Sequence, residues 1–472
     1  MTLHLSDFCA NSGPFMKLNP SQIRSIANLI VCHGLGFVFL LCCFPLACLA
    51  QQSTLSDEDL LTETQRKTFD YFWTGAESNS KWARERIHLD DPNLDETLVT
   101  SGGTGFGIMA ILVGVERNFV SREDAVERLE AIVDFAERSD RFHGVWPHWL
   151  HGDTGKVKPF SPDDDGADLV ESSFLAQGLI CVRQYFANGT PREQKLSQRA
   201  DQLWRSMEWD FFRGEDRENV LFWHWSPRVG WKMNFRIRGY NECLITYVLA
   251  ASSPTHPIPP DVYHKGWAES GAITETRSHL GETLTMRHQG VKQSCGPLFW
   301  SHYSFLGLDP RGLSDRYADY WEHGKSHVRM IHKHCSDNPN GFKGYSADCW
   351  GLTASYSIKF YNAHSPENDN GTISPTAALS SFPYEPELCM RALRTFHDKF
   401  GDRLNGPYGF YDAFNLEKDW GPPHYLAIDQ GPIVVMIENY RTGLLWRLFM
   451  SAPEIQDGLK RLDFKVHSTP IK

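Results

Sequence analysis

The feature that most limits the fold is an alternation of helical segments almost free of charge with segments that carry many charges. Ile108-Met109-Ala110-Ile111-Leu112-Val113-Gly114-Val115 contains no charge and must be buried on most sides. Ser121-Arg122-Glu123-Asp124 then has a helix-opening pattern, Ser at the N-cap with an acid three residues on. It opens an amphipathic helix over 125–138, charged at Glu127, Arg128, Glu130 and Asp134. The same pair recurs as an apolar segment at 167–187 and a charged one opened by Pro191 at 191–209. A first helix covers Leu60, Leu61, Phe69, Phe72 and Trp73, and others are expected at 239–252, 260–270, 314–335, 346–358, 374–399, 429–449 and 452–463. Inner, glycine-bearing segments alternating with outer, charged ones are what six helical hairpins need to close into a double ring. The expected class is therefore all-α, an (α/α)6 toroid with long aromatic-rich loops and a small β-hairpin at 220–238. No fixed-period repeat is visible, which argues against an open solenoid.

A chain of 472 residues with 41% apolar and 22% charged composition can bury a large core. Its net charge of −11, with no long basic run, argues against nucleic acid as a partner. Aromatic content of 13%, including 15 Trp, suits a neutral, ring-shaped ligand such as a sugar. Residues 23–50 are nearly uncharged, follow Lys17, and end in small residues at Ala47 and Ala50, which reads as a secretory signal with Met16 as a candidate start. Pro45-Leu46-Ala47-Cys48 also resembles an imperfect lipobox. Cleavage before Cys48 with lipidation, cleavage after Ala50 without it, and a retained anchor all stay open. Residues 1–50 are thus expected to be a signal or lipoprotein-type segment and 51–472 one domain. The protein is expected to be exported, whether periplasmic, extracellular or lipid-anchored to a bacterial envelope, and to act as a monomer. Six cysteines follow this segment without Cys-x-x-Cys spacing and read as buried thiols, with Cys335 and Cys349 the pair to examine for a bridge.

Familiar cofactor and metal motifs are weak. Gly103-Thr104-Gly105-Phe106-Gly107 follows no strand of a dinucleotide fold and reads as close helix packing or backbone approach to a ligand. His327, His332, His334 and Cys335 fit no standard zinc spacing and read as a solvated helix face. There is no Gly-x-Ser-x-Gly. No cofactor and no metal are expected.

Carboxylates remain. Asp163-Asp164-Asp165-Gly166-Ala167-Asp168-Leu169-Val170-Glu171 precedes an apolar helix; if that helix starts near Asp164, then Asp164, Asp168 and Glu171 share one stripe of it. The competing reading is a capped helix with Asp165 at the N-cap. Glu242 opens the apolar segment after a hairpin bearing Trp223, Trp225 and Trp231, and Asp429 stands between the aromatic loop 401–423 and the last apolar helix. Glu438 inside that helix reads as a paired core or hairpin acid. In a closed double ring the inner helices run the same way, so acids at their N-termini meet at one mouth. A protonated acid facing an ionised one is the equipment of glycoside hydrolysis. Trp149, Trp225 and Trp300 on the long loops offer faces for pyranose rings.

Taken together, Thr100 to Gly107, Asp164 to Phe174, Arg238-Gly239-Tyr240-Asn241-Glu242 and Ala427-Ile428-Asp429-Gln430-Gly431-Pro432 resemble the bacterial glucoamylase-like family that contains the endo-β-1,2-glucanases of glycoside hydrolase family 144. The likeness spans about residues 60–459. It implies an inverting, metal-independent hydrolase of β-1,2-glucan, with Glu242 as general acid and Asp429 as general base. Asp164, Asp168 and Glu171 are implied as further acids of the cleft. It also implies a base that reaches water through a substrate hydroxyl, so the two carboxyls can stand farther apart than the ~6.5–9.5 Å usual for inverting enzymes. Exo-acting, sophorose-releasing members belong to the same family. The rivals are therefore an exo or other β-glucosidase-type enzyme and a non-catalytic glycan-binding lipoprotein.

Overall fold

The computed structural model describes residues 55–467; the signal-type segment lies outside the described residues. Six inner elements form a closed ring. They are α2 (Ser101–Glu116), α4 (Leu169–Phe186), α6 (Leu244–Ser252), a pair of 3-10 turns (Leu298–Ser301 and Tyr303–Phe305), α8 (Pro375–Leu379) and α11 (Ala427–Arg441), and α11 packs back on α2. Outside them run α1 (Asp57–Trp73), α3 (Arg122–Arg138), α5 (Pro191–Arg205), the π-turn Val262–Trp267, α7 (Tyr320–Asp337) and α9 (Pro386–Arg394). One short helix, α10 (Gly401–Leu404), precedes the last aromatic loop. Two more, α12 (Leu444–Met450) and α13 (Pro453–Arg461), cross the end of the ring away from the acids. There Trp446 Nε1 donates to Phe305 O at 2.7 Å. Among the described residues no helix is long and apolar enough to cross a membrane.

Local chemistry explains the helix ends. Ser121 Oγ accepts Asp124 N–H at 3.1 Å, and Thr190 with Glu193 closes a capping box ahead of Pro191. The inner helices pack backbone to backbone because glycines permit it. A Cβ on Gly105 would lie 2.2 Å from Phe174 O, and one on Gly178 would lie 2.5 Å from Gly105 O. The glycine run at 102–107 thus serves helix packing. Glu438 is a paired core acid as expected: Arg117 Nε donates to its Oε2 at 2.7 Å, while the Glu438 side chain is 2% exposed. Changing Arg117 to Met leaves that carboxylate buried without its cation, and about 3 kcal/mol of stability should be lost, read as a lowered Tm.

Several expectations are corrected. Residues 346–358 are not helical but run through turns into the strand Ala354–Tyr356, because Gly351 takes φ +147° where a Cβ would meet Ser374 O at 2.6 Å. The segment 374–399 breaks at residues 380–385, and the helix expected at 314–335 starts at Tyr320, capped by Asp319. The connection at 271–300 contains a hairpin, Thr274–His279 with Glu282–Met286, whose polar composition hid its alternation. At 220–238 the expected hairpin is present as bridges Phe222↔Arg236 and Ser226↔Gly230. The histidines of α7 do not form a solvated face. His327 and His334 are buried, bonded to Gly296 O and Ser301 on one side and to Asp369 on the other. All six cysteines of the described chain are buried and free, Cys335 and Cys349 included. Seven tryptophans, Trp146 and Trp446 among them, fill the core, so the Trp content reports packing as much as any ligand.

Candidate active site

The inner helices do bring their N-termini to one mouth, and the acids meet there. One wall is built at α4. Ala167–Asp168 is a short strand paired with His224–Trp225, and Asp168 is the N-cap, its Oδ1 accepting Val170 and Glu171 N–H at 3.0 and 2.9 Å. The helix therefore starts at Leu169, Asp165 is not its cap, and Asp164 is not on its face. Asp165 instead binds Ser226 and Arg228 on the hairpin. Asp164 reaches the cluster through space: His224 Nε2 stands 3.5 Å from its Oδ2 and 3.7 Å from Asp168 Oδ2. His148 Nδ1 bonds Asp168 Oδ2 at 2.9 Å. Glu171, in the first turn of α4, accepts the Gly102 N–H at 3.0 Å, and a Cβ on Gly102 would collide with that same carboxylate.

These contacts sort the acids into roles. Asp168 is fully buried, yet the hydrogen bond and charge of His148 outweigh desolvation and hold it below the usual carboxylate range. Burial lowers the His148 pKa, but Glu171, Asp168 and Asp164 together overcome this and raise it to about 9, so this imidazole is a cation at neutral pH. Burial pushes Asp164 and Glu171 up to about 7, with the Asp168 charge adding to both. Glu242 lies two residues ahead of α6, half-buried at the cleft. Desolvation, with the charges of Glu171 and Asp168 adding to it, raises it to about 7. A partly exposed carboxyl that burial raises to about 7 is equipped to donate its proton.

The opposite wall is built at α11. Asp429 is in the first turn, 2% exposed, and Thr376 Oγ1 on α8 donates to its backbone oxygen at 2.6 Å. Tyr303 donates its phenol to Asp429 Oδ1 at 3.4 Å. Burial and then the charges of Asp429, Tyr361, Glu171 and Glu242 raise the Tyr303 pKa, so this phenol stands within electrostatic reach of both walls. Asp412 lies in the aromatic loop before α11; burial raises both carboxyls, with the Asp412 charge adding to the rise of Asp429 and Glu85 to that of Asp412. Sequence reasoning marked that loop as site-building but did not single out Asp412, Tyr303, His148 or His224.

The tryptophans divide. Trp149 is half-buried beside the cleft, on the strand paired to Leu98–Thr100, with the Arg86 guanidinium 5.5 Å from its ring centre. Trp300 is half-buried against Gly296 and His288, next to Phe299, which packs on Tyr303. Trp225 lies on the other face of its strand from His224, packed against Phe142, His143 and Phe211, and is not brought to the acids. Two groups have ligand atoms close enough to consider a metal, His88–Asp90–His424 and Asp164–Asp168–His224. In the first the imidazoles stack 3.7 Å apart at 14°, so their in-plane lone pairs run side by side instead of converging on one ion. In the second, His224 Nε2 stands 3.5 and 3.7 Å from the two carboxylates, and its Nδ1 is buried without a hydrogen-bond partner.

Carboxyls raised by burial, from different inner helices, at the mouth of an (α/α)6 toroid fit the architecture in which glycoside hydrolases set an acid across from a base. The match to known proteins agrees. Residues 234–453 match the family model described as "Putative glucoamylase". An endo-β-1,2-glucanase from Chitinophaga pinensis, solved with sophorotriose and glucose, is 58% identical, with a TM-score of 0.86 over 87% of this chain and 99% of that one. A Bacteroides fragilis structure described as a "putative glucoamylase" is 53% identical, covering 89% and 100% of the two chains with a TM-score of 0.86. An exo β-1,2-glucooligosaccharide sophorohydrolase of Parabacteroides distasonis is 43% identical over 428 residues, 86% of this chain but only 58% of that protein. The chain belongs to this glucoamylase-like family. A Talaromyces funiculosus endo-β-1,2-glucanase, 10% identical with a TM-score of 0.64, shares the fold.

Proposed function

We propose that the protein hydrolyses β-1,2-glucan by endo-cleavage with inversion at the anomeric carbon. The observation that carries this is Glu242, a half-buried carboxyl held near pH 7 in the same electrostatic neighbourhood as Asp429. Glu242 gives its proton to the glycosidic O2 as the C1–O2 bond breaks. Water forms the new bond to C1 from the opposite face and its proton passes to Asp429, directly or through a substrate hydroxyl. Glu242 ends ionised and Asp429 protonated, and exchange with solvent restores both. Ionised Asp168 and the cation of His148 order the wall that takes sugar hydroxyls, with Asp164 and Glu171 beside them. Trp149 and Trp300 provide ring faces at the rim. The endo reading is supported by the Chitinophaga relative, which this chain matches over almost its whole length. The exo reading is supported by the Parabacteroides one, which extends well beyond the matched part. Export guided by residues 1–50, with or without a lipid, is part of the same proposal.

Incubation with linear β-1,2-glucan should release sophoro-oligosaccharides of mixed length. Sophorose alone would favour exo action, and binding without cleavage would overturn the enzyme. The pH profile of kcat/KM should be a bell. The acid works protonated, so activity falls as pH rises through about 7, where Glu242 loses its proton. The base works ionised, so activity also falls on the acidic side.

A further inference from the structure

A cavity of about 420 Å³ lies where the segment leading into α6 meets the turn after the hairpin Thr274–His279 with Glu282–Met286. Arg236, Arg238, Glu269, Arg287, Gln289 and Lys292 line it, and none of them takes part in the reaction proposed above. The lining holds four cations and one acid, in a protein whose net charge is −11. Two of the cations are neutralised within the protein. Arg236 pairs with Glu218 at 2.6 Å, and Arg287 pairs with Glu269. Among the described residues Arg238 and Lys292 form no ion pair, and the Arg238 guanidinium donates no hydrogen bond. Glu367 meets Lys292 through the main chain only: its oxygens accept the backbone N–H groups of Lys292, Gln293 and Ser294.

A third donor joins these two. Asn241 Oδ1 accepts the Cys243 N–H at 3.0 Å, so its Nδ2 is the donor to Gln289 Oε1 at 2.6 Å. The amide nitrogen of Gln289 is then left without an acceptor among the described residues. The cavity therefore presents ammonium, guanidinium and amide N–H groups, while Arg287 engages its one carboxylate. A sugar hydroxyl both donates and accepts, so a site for neutral sugar needs partners of both kinds. A lining of donors suits a group that only accepts. The turn that carries Glu269 is also held in a costly shape, with Glu269 at φ +48° and Ser270 at φ +58°, two successive left-handed residues that are not glycine. Such backbone persists where its surroundings fix it, and it clusters at ligand sites. We propose that this cavity binds an oxyanion, a phosphate or carboxylate group, with Arg238 and Lys292 supplying the charge and Gln289 a neutral donor. Small-ligand pockets span ~300–1,000 Å³, so there is room for a sugar ring that bears the anion as well as for the anion alone.

The test is calorimetric titration of the full-length protein with glucose 6-phosphate, inorganic phosphate and glucose, at constant ionic strength. Glucose 6-phosphate should bind at least about 10-fold more tightly than glucose, the scale of a charge-assisted hydrogen bond. Arg238→Gln should weaken glucose 6-phosphate by about 10-fold and leave glucose unchanged, with Arg238→Lys between the two. Lys292→Gln should weaken it by about 5-fold. Tighter binding of glucose 6-phosphate than of inorganic phosphate assigns the oxyanion to a sugar, and equal binding assigns it to the free anion; both agree with the proposal. Three results would each overturn it: glucose bound as tightly as glucose 6-phosphate, which makes the cavity a neutral-sugar subsite; no binding of either anion; or anion binding that neither Arg238→Gln nor Lys292→Gln weakens. If Arg238→Gln does not fold, Lys292→Gln decides, because Lys292 is an exposed side chain. None of these readouts requires glucan to be cleaved, so the anion site and the hydrolysis proposed above stand or fall separately.

Discussion

Replacing Glu242 by Gln should lower kcat on β-1,2-glucan by about 10³-fold, the scale of a lost general acid. The change conserves size and hydrogen-bonding shape but removes the transferable proton of a partly exposed carboxyl held near pH 7. The Tm should not fall, since a carboxyl that burial drives to about 7 contributes nothing to folding at neutral pH that an amide cannot supply. The role is separable by leaving group. An aryl β-sophoroside whose phenolate departs unaided should recover most of the lost rate, and its pH profile should lack the alkaline limb. Equal loss on glucan and on the activated glycoside would remove Glu242 from the acid role.

The companion substitution, Asp429→Asn, should also cost about 10³-fold in kcat, but on both substrates alike. Water must be activated whichever leaving group departs, so a better one does not help. KM should change little, because Asp429 is 2% exposed and offers little surface to a bound sugar. Kinetics on the two substrates therefore assign the two carboxyls separately. Recovery of Asp429→Asn by the aryl glycoside would exchange the roles proposed for the pair.

How much of this was legible in the chain varies by element. The inner helices α2, α4 and α11 were readable because a long uncharged segment has no solvated face and must be enclosed. The outer helices α3 and α5 were readable from caps as well as periodicity. Reading failed where tertiary contact overrode local pattern. The apolar run around Trp350 looks helical, but Gly351 is bent to admit Ser374. The polar hairpin at 274–286 has too little apolar alternation to be recognised.

The same division holds for the site. Asp168, Glu171, Glu242 and Asp429 were found because each sits at or near the start of an apolar helix, a position that local sequence marks. Asp412, His148, His224 and Tyr303 carry no such mark. Their significance comes from partners 17 to 126 residues away. Asp164 was expected on a helical stripe, but it stands near Asp168 across His224, from a turn outside the helix. By itself the sequence determined a ring of helices with acids at its mouth, since burial periodicity and capping are local properties of the chain. Which carboxyl faces which, and therefore which is held protonated, only the tertiary structure decided. Desolvation and charge repulsion depend on distances across the cleft, and those distances join segments that no local pattern relates.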